Sequence, residues 1–185
     1  MALRTAVIVI SGPPCCGSTT TGKLLAGRLG LKFFSVGHYF KSLGAGRETE
    51  NAVKLWKSET GKNIQFTKKG AHNALEQMQI ALAKHGDIVI ESKLGIRFLK
   101  KYATLTVWLK APLETRAARC ARRDGISLTE ASHILAEKER LERENFRKIY
   151  GFDFFAQEKE ADLVIEATNL TTGEIVGKIL EKIKK

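Results

Sequence analysis

Residues 6–23 read AVIVISGPPCCGSTTTGK, and the reading of this stretch decides the fold. Residues 6–10 form a short apolar run rich in β-branched side chains, which predicts a strand buried on both faces of a parallel sheet. At Gly12 the pattern breaks. From there Gly12-Pro13-Pro14-Cys15-Cys16-Gly17-Ser18-Thr19 matches the strand, GxxxxGK(S/T), helix phosphate loop in spacing, in both glycines and in the closing hydroxyl. Ser18 stands where that motif has lysine. Glycines let a tight loop turn N–H groups onto an anion, and the helix that follows adds the positive end of its dipole. The stretch therefore reads as an anion cradle even without the lysine. The alternative is an ordinary strand–turn–helix corner with a glycine at each end.

The chain has 185 residues, the size of one domain able to bury a core without staples. With 43% hydrophobic and 28% charged residues it has the composition of a soluble globular protein. A net charge of +11 suits either a phosphate polymer or a pocket for two phosphorylated small molecules. The basic residues are spread along the chain with acids between them, so much of the excess reads as solvated surface. Three cysteines, Cys15, Cys16 and Cys120, make neither a disulfide framework nor a zinc spacing, and point to a reduced cytoplasmic compartment. The first apolar run is too short for a secretory signal, and no segment has the length needed to span a membrane.

Outward from the loop, helical spacing of Leu24, Leu25 and Leu29 predicts a helix over 19–29 that stops at Gly30. Residues 31–35 (LKFFS) read as a second strand, with a helix starting at His38. Residues 48–57 and 67–84 read as helices, the second with an apolar stripe of Ala71, Ala74, Leu75, Met78 and Leu82. Residues 87–91 (DIVIE) are a third strand, with Glu91 at its C-terminal end. That carboxylate stands beside the phosphate loop if strands one and three are neighbours. Residues 104–109 (TLTVWL) are the fourth strand, and Pro112 opens a helix. On it, Arg116, Arg119 and Arg123 gather on one face at three- and four-residue spacing. The only acids within reach there are Glu114 and Asp124, which favours an anionic partner over a solvated basic face.

Ser127 and Glu130 form a capping box for a long helix to about Tyr150. Along it Arg140, Arg143 and Arg147 alternate with Glu139, Glu142 and Glu144, a pattern that predicts internal ion pairs. Residues 161–166 (ADLVIE) are the last strand, and 171–184 the closing helix, capped by Thr171 and Glu174. Strands and helices alternate throughout, so the fold class is α/β with a parallel sheet covered on both faces. Adjacent Cys15 and Cys16 at a helix N-terminus have the setting for lowered pKa values, although small side chains that fit a tight loop are the simpler reading.

In the order and spacing of GPPCCGSTTTGK (12–23), SVGHYFKSL (35–43), GDIVIESKL (86–94), LKAPLETRAARCARRDGIS (109–127), IYGFD (149–153) and ADLVIEAT (161–168), the chain resembles the nucleoside monophosphate kinases, most closely the archaeal-type cytidylate kinases. The resemblance implies a three-layer P-loop kinase fold with a five-stranded parallel sheet of order 2-3-1-4-5. It also implies a single domain with core 1–36 and 86–185, a monophosphate-binding insert at about 37–85 and a lid near 123–127. It implies Mg²⁺-dependent transfer of the terminal phosphoryl group of ATP to CMP or dCMP by a monomer. The donor's phosphates would lie on Gly12, Pro13, Pro14, Cys15, Cys16, Gly17, Ser18, Thr19 and Thr20, with the Thr19 hydroxyl on magnesium and Glu91 reaching it through water. Ser35, Gly37, Lys41, Glu91 and Lys93 would bind the acceptor. Arg116, Arg119 and Arg123 would act from the lid side.

Three positions depart from the family's pattern. Ser18 replaces the loop lysine, and Lys23, about 500° further round the helix, is off its face. At Glu144-Asn145-Phe146 relatives carry a basic pair, a charge that Arg143 or Arg147 would supply from a neighbouring position. In the insert, Met78 and Glu76 replace arginine and aspartate. Two alternatives follow: a kinase of the same fold with another acceptor, or a catalytically weak nucleotide-dependent protein whose basic surface binds RNA or a ribonucleoprotein.

Overall fold

The structure, a computed structural model, describes residues 6–44 and 69–184. Its frame is a five-stranded, all-parallel sheet in the order β2-β3-β1-β4-β5. The strands are β1 (Val7–Ser11), β2 (Lys32–Ser35), β3 (Ile88–Glu91), β4 (Leu105–Lys110) and β5 (Leu163–Glu166). Between them run α1 (Ser18–Leu29), α2 (Val36–Gly44), α3 (Lys69–His85), α4 (Gly95–Leu99), α5 (Leu113–Asp124) and α6 (Leu128–Tyr150), with α7 (Thr172–Ile183) closing the chain. A 3₁₀ turn, Phe154–Glu160, precedes β5.

β1 lies at the centre, and all five of its residues are buried. Because side chains alternate across a strand, Ile8 and Ile10 pack on one side with Val107, Leu109, Leu25, Val176 and Ile179 from β4, α1 and α7. Val7 and Val9 pack on the other side with Ile96, Leu99, Trp108, Phe146 and Phe154. Three layers result, as continuous apolar strand runs require. α5 and α6 join through a third cluster of Ala117, Cys120, Ala131 and Leu135.

The predicted strands and helices agree with the described ones to within one or two residues at most ends. Ser127 caps α6 by accepting the Glu130 amide at 3.1 Å, and Thr171 with Glu174 forms a full capping box on α7. α3 differs from its predicted stripe: Gln79 and Ala83 face inward, Met78 is half-buried and Ala74 is exposed. α4 and the 3₁₀ turn have too few residues to carry a periodic signal. The helix expected at 48–57 lies outside the described residues, as does the middle of the insert, 45–68.

Candidate active site

Parallel register brings the C-terminal ends of three strands into one row. Ser35 pairs with Glu91 across β2 and β3, and Glu91 with Ile10 across β3 and β1. The expectation that Glu91 stands beside the loop therefore holds. Its carboxylate accepts the Ser18 hydroxyl at 3.1 Å and the Ser35 hydroxyl at 2.5 Å. Ser35 also accepts the His38 amide at 3.2 Å, which ties the start of α2 to the same cluster. Gly37 is exposed in the first turn of α2, and the backbone of Lys41 continues that helix.

Between β1 and α1 the chain turns through residues 12–17. A Cβ on Gly12 would meet the Leu109 carbonyl oxygen at 2.4 Å and the Cys16 sulfur at 2.7 Å, so only glycine lets the loop lie this close to β4. Gly17 caps α1 in the left-handed conformation at φ 99°, and no side chain satisfies the first-turn amides. Pro13 and Pro14 have no N–H, so the donors of this loop are the amides of Cys15 through Thr20 apart from Cys16, which donates weakly back to Pro13 at 3.4 Å. Cys15 itself has φ 61°, a left-handed turn that aims the backbone at the cost of local strain. Burial pushes the Cys16 thiol above its ordinary pKa, so it is a protonated, space-filling side chain and the thiolate alternative does not apply to it.

Alternate carbonyls of the loop each accept from a cation. Lys93 donates to Gly12 at 3.4 Å, Arg116 to Pro14 at 3.2 Å and Arg119 to Cys16 at 3.4 Å. Carbonyls engaged by cations are withdrawn from the loop's own amides, and amides so left in a tight turn are the donors of an anion-binding nest.

The arginines have more acidic neighbours than their own helix supplies. Arg116 is buried; it also donates to the Ala111 carbonyl at 2.9 Å and forms an ion pair with Glu139 of α6. This corrects the expectation that only Glu114 and Asp124 lie within reach, because a facing helix brings acids that spacing along one helix does not show. Arg119 donates to the carbonyls of Ala167 and Thr168 after β5. Arg123 chelates Asp124 at 2.6 and 2.7 Å, and that hydrogen bond raises its pKa further. On α6 Arg140 behaves as the charge pattern predicts, bridging Glu137 and Glu144, and Lys138 pairs with Glu142 one turn on at 3.9 Å. Glu142, buried on α6, also pairs outside the helix, with Lys93 at 3.3 Å. Arg143 and Arg147 both reach Asp153, beyond the end of the helix. Glu139, Glu142 and Asp153 are the site residues that sequence reading passed over. Their signal was present as acids on the same segments as the arginines, but their partners are distant in sequence or beyond the helix end.

Asp153 gives a pH-dependent prediction. Burial acts to raise its pKa, but Arg143's hydrogen bonds, the Phe155 amide and the charges of Arg143 and Arg147 outweigh it and hold the carboxyl below its ordinary 3.8. A carboxyl depressed on folding stabilises the fold above its unfolded pKa and loses that contribution as pH falls through the folded value. Asp153→Asn is therefore expected to lower stability by about 1 kcal/mol at pH 6, with the gap to wild type closing below about pH 4. Urea titrations across that range check it, and a gap constant with pH overturns it.

A 2-3-1-4-5 parallel sheet with a glycine-bounded, cation-braced loop between β1 and α1 defines a P-loop kinase fold. The chain belongs to the cytidylate kinase-like family, whose profile matches residues 7–169. It is 40% identical over 151 residues to a cytidylate kinase of Ignicoccus hospitalis, covering 80% of this chain and 81% of that one. With a cytidylate kinase of Sulfurisphaera tokodaii identity is 39% over 175 residues, covering 95% and 93%. Among solved structures, shikimate kinase from Acinetobacter baumannii superposes with TM-score 0.62 at 20% identity over 97% of this chain and 93% of that one, a likeness of fold. Among the described residues no helix is long and apolar enough to cross a membrane.

Proposed function

We propose that the chain transfers the terminal phosphoryl group of ATP to CMP or dCMP. The observation that carries this reading is the loop of 12–19, braced by three cations at the C-terminal edge of the sheet, in a chain about 40% identical to proteins named cytidylate kinase. Phosphoryl transfer passes through a loose, highly charged transition state, so positioning and positive charge are what a protein must supply. The amides of Cys15, Gly17, Ser18, Thr19 and Thr20 hold the donor's phosphates.

Magnesium, where bound, neutralises charge on those phosphates. Such an ion takes one or two protein oxygens and keeps the rest for phosphate and water. The Thr19 hydroxyl and, through water, Glu91 fit that role, because Glu91 already touches the neighbouring Ser18. Ser35 and Glu91 at the strand ends, with Gly37 and Lys41 of an insert spanning about 37–85, receive the acceptor, and the turn at 123–127 is a lid. Arg123 and Arg147 are exposed and their ion pairs exchange at little cost, so with half-buried Arg143, which shares Asp153 with Arg147, they are the cations that move onto the transferring group. Arg119, half-buried and held by the carbonyls of Cys16, Ala167 and Thr168, acts from where it stands beside the loop, while buried Arg116 keeps the loop in place. Closing the lid keeps water from taking the phosphoryl group.

A coupled assay with ATP, magnesium and CMP, dCMP, UMP and AMP tests the reading. Turnover with CMP and dCMP at least tenfold above AMP is expected. Turnover confined to another monophosphate changes the acceptor, and none with any of the four overturns the proposal.

A further inference from the structure

The lysine slot of the phosphate loop holds Ser18, whose hydroxyl is engaged with Glu91 at 3.1 Å. Lys23 is exposed on α1 and faces elsewhere. The loop's missing cation has to come from outside the motif. β1 and β3 pair as far as Ile10 and Glu91, and Gly12 and Lys93 follow within two residues of those strand ends. The Lys93 ammonium lies 3.4 Å from the Gly12 carbonyl.

We infer that Lys93 supplies to the donor's phosphates the charge that the motif lysine supplies elsewhere, rather than serving the acceptor as its position in the family's pattern implies. The inference rests on the kinase reading of the same site.

Three observations support it. The other two cations on the loop are committed: Arg116 to two carbonyls and Glu139, Arg119 to the carbonyls of Ala167 and Thr168 as well as Cys16. Lys93 has capacity left. An ammonium has three donors, and among the described residues Lys93 has two acceptors, the Gly12 carbonyl and Glu142. Its ion pair with Glu142 is 3.3 Å long and that carboxylate is buried, so it takes the second donor. Glu142 thus fixes where the ammonium sits and leaves its third proton for another acceptor. Finally, the lysine lies against the Phe154 ring at 5.2 Å, and such an apolar wall strengthens its field at the loop mouth.

Wild-type protein is tested first, with an ATP acyl-phosphate, a probe that passes its acyl group to a lysine amine beside its terminal phosphate and releases ATP. Acylation of Lys93, blocked by excess ATP and not by CMP, is expected. Labelling confined to other lysines, or blocked by CMP alone, overturns the assignment. The second arm uses Lys93→Met with Glu142→Gln, so that no buried carboxylate is left unpaired. In it, affinity for a non-hydrolysable ATP analogue is expected to fall at least tenfold and kcat about a hundredfold, with CMP affinity changed less than twofold. Adding Ser18→Lys to that variant returns at least a tenfold share of kcat. Loss of CMP affinity with ATP-analogue affinity intact, or no recovery on adding the lysine to a protein that melts like wild type, overturns it. A wild type that turns over no monophosphate defeats the kinase reading instead, and the labelling and analogue-binding results still decide the role of Lys93.

Discussion

Gly12→Ala is expected to lower kcat/KM at least a hundredfold while the sheet still folds. A methyl group at this position has nowhere to go. It would sit 2.4 Å from the Leu109 carbonyl oxygen, which is backbone in a buried central strand, and 2.7 Å from the Cys16 sulfur, which is itself fully buried. β4 cannot retreat, because Leu109 is hydrogen-bonded into the sheet between β1 and β5. The loop has to move instead, and with it the carbonyl that accepts from Lys93 and the amides of Cys15 through Thr20. Overpacking of this kind costs about 1–3 kcal/mol of stability. Catalytically the loss is larger, since displacing positioned donors by about 1 Å costs on the order of a hundredfold in rate. Gly27→Ala is the matched control. Gly27 lies exposed in the middle of α1 with nothing within 4 Å of its added Cβ, so the change is expected to stabilise by about 0.5–1 kcal/mol with activity unchanged. Binding of an ATP analogue and thermal melting of both variants check the pair. Retained analogue affinity in Gly12→Ala would mean that the loop does not hold the donor.

That contrast also explains why some of the site was legible in the sequence and some was not. Gly12 and Gly17 could be read because a tight turn between an apolar strand and a helix leaves a fixed spacing, and β1 could be read because burial on both faces removes polar residues from it. The row formed by Ser35, Glu91 and Ile10 needed only the strand ends and the neighbour relation of β1, β2 and β3. The cation braces were hidden. Arg116 finds Glu139 and Lys93 finds Glu142 across packed helices and loops, and along α6 both acids look like members of an internal ladder with Arg140, Arg143 and Arg147. Spacing along one helix predicts neighbours on that helix; it carries nothing about the helix that packs against it. Gln79 facing inward on α3, where an apolar residue was expected, has the same origin: its amide donates to the Leu75 carbonyl of its own helix, a local bond that hydropathy does not register.

The Arg116–Glu139 brace carries the second large expected effect, and it separates a residue that holds the loop from one that only touches phosphate. Arg116 has a side chain 5% exposed and Glu139 one 16% exposed, so both charges are largely out of water. Removing one partner strands the other: Glu139→Ala and Arg116→Ala are each expected to destabilise by about 3–5 kcal/mol. Replacing both with apolar groups of similar bulk, Arg116→Met with Glu139→Leu, removes the stranded charge, so most of that stability is expected to return. Activity is expected not to return with it, because the Pro14 and Ala111 carbonyls lose the guanidinium that joins the phosphate loop to the start of α5. A double variant that melts near wild type yet binds the ATP analogue at least tenfold more weakly identifies Arg116 as the residue that positions the loop. If that variant binds the analogue normally but has lost kcat, Arg116 acts on the transferring group itself. If it keeps both, the loop is held by Lys93 and Arg119 alone, and the brace serves only to dock α6 against α5.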